Sequence, residues 1–504
     1  MSDLLVGVDV GTQSAKAGLY TPGGACLAEA ARPLPLHRHG PEHVEQDPED
    51  FVRAAGETIA ECVRRSGRDA GEVAGVAVAG QMAGILGVGA DGRAATPYDS
   101  WLDTRCRAEV EEIASRLGDE VTACAGCPPM VAHAPKILWW HRHRPADYAR
   151  AVRFVVPSAY VAGRFCGAAG ADAHVDVTHL HFSGVADAAA GTWSWELAEE
   201  IGIDPERLPR IVGPTEVVGG LTREAAALCG LRPGTPVAAG LGDTAAGALG
   251  AGVVAPGQLL DTAGTAAVLG ISTDAFRPDP ARTLIAMRGA VPGQWISLSY
   301  LAGGDLLRWL PQALGARTAD AASLETLLVE ASAAEPARLL FVPHLGGRIL
   351  PPVPGARGGW VGVDLATARG DLVRAVLESV ALEYALYLER ACELFPELRP
   401  SEVRVIGGGA ANRLWNGIKA AALGLPTVRL ARESFGCWGA ALVAGAAVGA
   451  VHDLAGAALA GTATVERVEP DPDLRAAYAA LLPDYRQASE WLAGRTRHRD
   501  EVAA

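Results

Sequence analysis

The chain has 504 residues, 49% hydrophobic, 20% charged and 6% aromatic, with 44 basic against 58 acidic side chains and a formal charge of −14. At roughly 100 to 200 residues per domain, this length implies two to four domains, each able to bury a core without disulfide or metal support. An acidic balance without a long basic run excludes a protein whose main partner is nucleic acid or an anionic membrane surface.

The first predicted element is a β-branched run at 6–10 that meets Gly11-Thr12-Gln13-Ser14 and resumes at 15–20 before Thr21-Pro22-Gly23-Gly24. This reads as a glycine-rich β-hairpin. Next, 49–65 carries Phe51, Ala55, Ile59, Cys62 and Val63 at helical spacing behind the acidic start Asp47-Pro48-Glu49-Asp50, which predicts a helix. A buried strand follows at 73–79, and strands and helices alternate through 153–156 and the helical stretch at 372–395, marking an α/β architecture. About halfway, 236–243 again runs from a strand into a glycine turn carrying an aspartate, which reads as a second beginning. The expected organisation is therefore two α/β lobes, 1–239 and 240–485, with an intervening cleft, then a charged and disordered tail at 486–504. The nine cysteines form no framework, and Pro128 and Pro129 follow the one close pair, Cys124 and Cys127, where a redox motif would open a helix. The opening MSDLLVGVDVG places Asp3 and Asp9 against an export signal, and the late Gly- and Ala-rich stretch at 436–451 is too short for a span of about 20 apolar residues. A cytoplasmic protein without a membrane partner is the expectation.

Only three lysines occur, Lys16, Lys136 and Lys419, and none follows a glycine, so the P-loop pattern GxxxxGK is absent. Backbone N–H groups in a glycine turn can still hold phosphate. Three turns qualify, at 9–14 (DVGTQS), 261–265 (DTAGT) and 407–412 (GGGAAN), each after a short apolar run. Gly87, Gly89 and Gly92 meet a dinucleotide spacing, but Asp91-Gly92 is a hairpin signal. Gly240-Leu241-Gly242-Asp243-Thr244-Ala245 comes nearer, with Asp261 beyond it, yet Asp243 would oppose a pyrophosphate and the following helix, 244–252, is short for a crossover. A nicotinamide enzyme is thus the weaker reading. His174, His179 and His181, near Asp172 and Asp176, could ligate a metal, but alternation over 175–182 favours faces of a strand or loop. His37, His39 and His43 lie in a polar loop with prolines and read as solvated surface.

In order, GVDVGTQSAKA, VAGQMAG, SWLDTRC, HAPKILWW, GLGDTAAGALG, DTAGTAAVLG, VIGGGAANRLW and GCWGAALVAGAA resemble the FGGY family of carbohydrate kinases, most closely its xylulokinase branch. The family's second signature is matched by Gly358-x-Trp360-x-Gly362-Val363, seven residues, then Asp371-Leu372-x-x-Ala375-Val376-Leu377-Glu378. The resemblance implies two actin-like, ribonuclease-H-like ATPase lobes closing on ATP and Mg²⁺ with a small sugar or polyol in the cleft. It implies phosphorylation of a primary hydroxyl, with D-xylulose to D-xylulose 5-phosphate first and ribulose, pentitol, tetrose or glycerol-type substrates as alternatives. A non-catalytic nucleotide-binding actin-like protein is a further alternative, and family members are often homodimers.

By the same resemblance, Asp243 is the catalytic base, and the residues agree, since it occupies a glycine turn at the junction of the lobes. Asp9 matches the carboxylate that positions Mg²⁺ through water. Gly11, Thr12, Gln13, Ser14 and Lys16 serve the β- and γ-phosphates, Gly264 and Thr265 form the second phosphate loop, and Gly408, Gly409 and Asn412 form the adenosine loop. Helices at 244–252 and 437–449 match the connecting pair whose small side chains form a closure hinge. Gln81, Met82, Ala83, Trp101, Asp103 and Thr244 occupy the sugar pocket. Ala83 and Thr244 depart from the family's usual His and Asn, and both lie at the substrate. His133 also replaces a hydroxyl residue, and Arg348 departs from an acidic pattern; the residues give no physical account of either.

Overall fold

The computed structural model describes residues 3–264, 267–301, 303–315 and 321–503. Two sheets of seven strands dominate the described residues. The first contains β1 (Leu4–Val10), β2 (Ser14–Tyr20), β3 (Cys26–Pro33), β4 (Val73–Gly80), β5 (Val217–Gly220), β6 (Pro236–Ala238) and the short β7 (Leu241–Gly242). Its spatial order is β5-β6-β4-β1-β2-β3, with β7 also on β4. The second contains β8 (Gln258–Ala263), β9 (Ala267–Thr273), β10 (Ile285–Arg288), β11 (Trp295–Leu301), β12 (Glu402–Ile406), β13 (Thr427–Leu430) and β14 (Thr464–Val468), in the order β10-β11-β9-β8-β12-β13-β14.

The two sheets share a plan. In each, the first strand of a hairpin pairs antiparallel with its successor and parallel with a later strand: β1 with β2 and β4, β8 with β9 and β12. The repeat therefore begins at Gln258. Residues 236–242, which read as a second beginning, form strands that pair with β4 and complete the first sheet, so the expected start of the second lobe at 240 falls within the first sheet, and Asp243 begins the helix that leaves it.

Alternation along β1 decides what lies on each face. Val6, Val8 and Val10 enter the core that includes Phe51, Ala55 and Ile59 of α1 (Pro48–Ser66). Asp47 caps that helix by accepting from the Glu49 N–H, and Gly67 ends it at φ 67°. Leu5, on the opposite face, packs with the small-residue helices α2 (Asp243–Gly250) and α5 (Phe435–Ala447). The second sheet is covered by α3 (Arg369–Leu394), α4 (Arg413–Leu423) and α6 (Pro472–Ala503). Segment 486–493 is not the disordered tail expected from its charge: it continues α6, with Ser489 and Ala493 buried and Ala493 packed against Val353 and Ala356. Spacing those buried positions along one helical face compensates for the low apolar content. Among the described residues, no helix is long and apolar enough to cross a membrane.

The small residues of α2 and α5 allow backbone contact. A Cβ at Gly439 would lie 2.0 Å from the Ala246 carbonyl oxygen, one at Gly250 2.0 Å from that of Phe435, and one at Gly7 1.8 Å from that of Cys437. Gly439→Val should therefore lower the thermal midpoint by several degrees, an overpacking cost of about 1 to 3 kcal/mol or more. Gly417→Ala, in α4 where a Cβ meets nothing within 4 Å, should leave the midpoint unchanged or raise it.

Candidate functional site

Asp9 lies on the α5 face of β1, directly opposite Lys16 across the hairpin. A Cβ at Gly436 would come 2.5 Å from its Oδ2, so the glycine start of α5 closes over the carboxylate. Its Oδ1 is buried without a hydrogen-bond partner. Burial raises its pKa to about 7, Asp243 adds to the rise and Lys16 opposes it. An orphaned, electron-rich oxygen beside a lysine fits a hydrated cation and phosphate.

Asp243, the first residue of α2, also has its pKa raised by burial, while the Thr244 N–H and hydroxyl and the nearby His179 hold it down. Thr244 Oγ1 donates to Asp243 Oδ1 at 3.2 Å. The turn before it is fastened from outside the first sheet. Gly242 N–H donates to Thr178 Oγ1 (2.8 Å), and Asp176 Oδ1 accepts the Thr178 N–H (2.9 Å) and hydroxyl. Asp176 Oδ2 binds His179 Nδ1 at 2.6 Å. These residues form a 3-10 turn, Val177–Phe182, rather than a strand continuing from His174–Asp176, because the Asp176 side chain caps it. His179, His181 and His133 are all buried and carry ring nitrogens without partners. Burial lowers the His133 pKa to about 3 and that of His181 well below its usual value, so both are neutral.

The sugar-side residues reach the same turn. A Cβ at Gly242 would lie 2.6 Å from Met82 Sδ, which places Met82 against the residue before Asp243. Gln81 Nε2 donates to Gln46 Oε1 (2.9 Å), Gln46 Nε2 to the Thr12 carbonyl (3.0 Å), and Trp101 Nε1 to Thr12 Oγ1 (2.9 Å). One hydrogen-bond network thus ties the first glycine turn to the pocket wall. Ala83, the residue after Met82, has φ 62°, a left-handed conformation costing a non-glycine residue roughly 1 to 2 kcal/mol. Asp103 is buried, and Arg105 Nε (2.9 Å) and the Val44 N–H (2.8 Å) both bind its Oδ2, which braces this part of the chain. Gln46, Tyr98 and Thr178 were not legible as site residues. Tyr98, whose buried hydroxyl has no partner and lies in the field of Asp243, would touch a Cβ at Gly84.

In the second lobe, Gly264 follows β8, and Thr265 lies outside the described residues. Gly407 (φ 85°) and Gly409 press on Ala263, where added Cβ atoms would meet it at 2.9 and 2.7 Å, so the two glycine loops touch. At Gly408 nothing lies within 4 Å, which leaves room for a flat base or ribose. The Asn412 side chain caps α4 by accepting from the Trp415 N–H at 3.0 Å. Behind these loops, Lys419 pairs with Asp261 and Tyr384 donates to Asp261 at 2.8 Å, all fully buried.

Two sheets of repeated plan, glycine loops from both, and two carboxylates at their junction define a two-lobed phosphotransferase. Residues 4–250 match the N-terminal domain, and 261–448 the C-terminal domain, of the FGGY family of carbohydrate kinases. The chain belongs to that family and is a sugar kinase with an alcohol acceptor. It is 30% identical to the xylulose kinase of Bacillus subtilis over 456 residues, 87% of each chain. Gluconokinase of the same organism is 24% identical over 98% of this chain and 96% of its own. Among solved structures, xylulose kinase from Rhodospirillum rubrum superposes with a TM-score of 0.87 at 28% identity, covering 98% of this chain and 100% of its own. Sugar kinases of this family use ATP as phosphate donor, with Mg²⁺ the usual ion.

Because the Asp9 carboxyl titrates near 7 when folded and near 4 when unfolded, the fold loses stability as pH rises between those values. Asp9→Asn should stabilise the ligand-free protein by about 1 to 3 kcal/mol at pH 8, the gain shrinking as pH falls toward 4. Thermal unfolding across that range tests it.

Proposed function

We propose that the protein transfers the γ-phosphoryl group of ATP to the primary hydroxyl of D-xylulose, giving D-xylulose 5-phosphate. The observation that carries this reading is the convergence of Asp9 and Asp243, two carboxylates with raised pKa values, at the junction of the lobes. The first lobe supplies the sugar wall and one phosphate turn, and the second supplies the nucleotide loops. The similarity to xylulose kinases over most of the chain favours xylulose among small sugars.

Asp243 accepts the proton of the attacking hydroxyl as its oxygen bonds to phosphorus and ADP leaves; a raised pKa makes it a stronger base than a surface aspartate. Gly11, Thr12, Gln13, Ser14 and Lys16 orient the phosphates, and Asp9 would hold the metal. Mg²⁺, when bound, neutralises charge on the transferring phosphate. Gly264, Thr265, Gly408, Gly409 and Asn412 hold the nucleotide. Met82 and Trp101 pack the sugar against Gln81 and Thr244, and approach of the lobes about α2 and α5 excludes water.

A second reading, another ketose or a polyol, is favoured by Ala83 and Thr244. ADP release with Mg-ATP against ketopentoses, aldopentoses, pentitols, tetroses, gluconate and glycerol separates the two. We expect D-xylulose to give the highest kcat/KM; turnover of another member alone would move the assignment to it. Asp243→Asn should lower kcat by about 10² to 10⁴ with nucleotide affinity kept, and an unchanged rate removes Asp243 as base.

A further inference from the structure

The hairpin formed by the two-residue strand His37–Arg38 and Val44–Gln46 gathers His39, His43 and Glu45. The His39 N–H donates to the His43 carbonyl at 3.0 Å, which fixes the two rings across the turn with centroids 4.7 Å apart. His43 immediately precedes the strand that carries Glu45. His43 Nε2 is 2.7 Å from Glu45 Oε1, His39 Nε2 is 3.8 Å from Glu45 Oε2, and one ligand atom from each residue lies within 4.8 Å of the others. Tetrahedral zinc needs donors roughly 3.4 Å apart, a closure that the half-exposed His39 can make by a rotamer change. Two imidazoles and a carboxylate suit zinc and not magnesium. We propose that His39, His43 and Glu45 form a three-ligand site for Zn²⁺, completed by water from the open hollow beside His39 and Glu45. Arg105 holds Glu45 at 2.9 Å, which competes with an ion for that oxygen and limits the affinity. Titration calorimetry of the full chain with ZnCl₂ should show one ion bound at micromolar Kd, unaffected by millimolar Mg²⁺ and weakened at least tenfold by His39→Ala and by His43→Ala. Because these side chains are not in the core, both variants should keep the parent's circular dichroism. No stoichiometric uptake, or uptake undiminished in a folded His43→Ala protein, would overturn the site.

An independent observation concerns the base. The hydrogen bonds from Thr178 to Asp176 and from Gly242 to Thr178 tether the residue preceding Asp243. We infer that Thr178, oriented by Asp176, is a positioning residue for Asp243, an inference that rests on Asp243 being the base. Thr178→Val should lower kcat about 10- to 100-fold while KM for sugar and ATP stays within threefold, and Thr178→Ser should restore it. In an Asp243→Asn background, Thr178→Val should cost nothing further. A crippled Asp243→Asn beside a fully active Thr178→Val overturns the positioning role alone, and an active Asp243→Asn overturns the base assignment instead.

Discussion

The approach of α5 to β1 and α2 at backbone distance is the constraint on which the rest of the molecule depends. Gly7, Gly250 and Gly439 face carbonyl oxygens at 1.8 to 2.0 Å from where a Cβ would stand, so no side chain can separate these elements. The same approach seats Gly436 on Asp9 and sets the helix that starts at Asp243 against the helix that covers β1. Two carboxylates are thereby withdrawn from water close enough for the charge of one to raise the pKa of the other. A buried like-charged pair destabilises a protein without ligands, and it fits a site that holds a cation and moves a proton.

Around this junction the chemistry is distributed by sheet geometry. The first sheet presents a glycine turn after its first strand, where backbone N–H groups can approach phosphate closely, and the second places Gly264 after its own first strand. The first sheet adds a network through Gln46, Gln81, Thr12 and Trp101 that links the phosphate turn to the sugar wall. The second sheet keeps its loops in register by different means, with Gly407 and Gly409 pressed on Ala263 and the buried Asp261–Lys419–Tyr384 cluster behind them.

The histidines show how much local pattern leaves open. Alternation across 175–182 fits a strand or a loop, and the Asp176 carboxylate decides for a 3-10 turn in which His179 and His181 are buried. A side chain that competes for backbone N–H groups overrides periodicity, and no count of apolar positions registers it. Asp103 shows the same limit for function, since the Val44 N–H that binds it comes from a distant part of the chain.

The α/β class, the opening hairpin, the capped helix after Asp47, the glycine turns and the candidacy of Asp9 and Asp243 were determined by the sequence, because each depends on residues adjacent in the chain or on an ordered set of motifs. The tertiary structure alone decided that 236–242 completes the first sheet, that 486–493 packs as helix, that Gln46 joins Gln81 to Thr12, and that Tyr98, Asp176 and Thr178 belong with Asp243 and its turn. Those facts rest on strand pairing, on burial and on hydrogen bonds between residues far apart in the chain, and the position of a residue in sequence does not encode which distant partner will meet it.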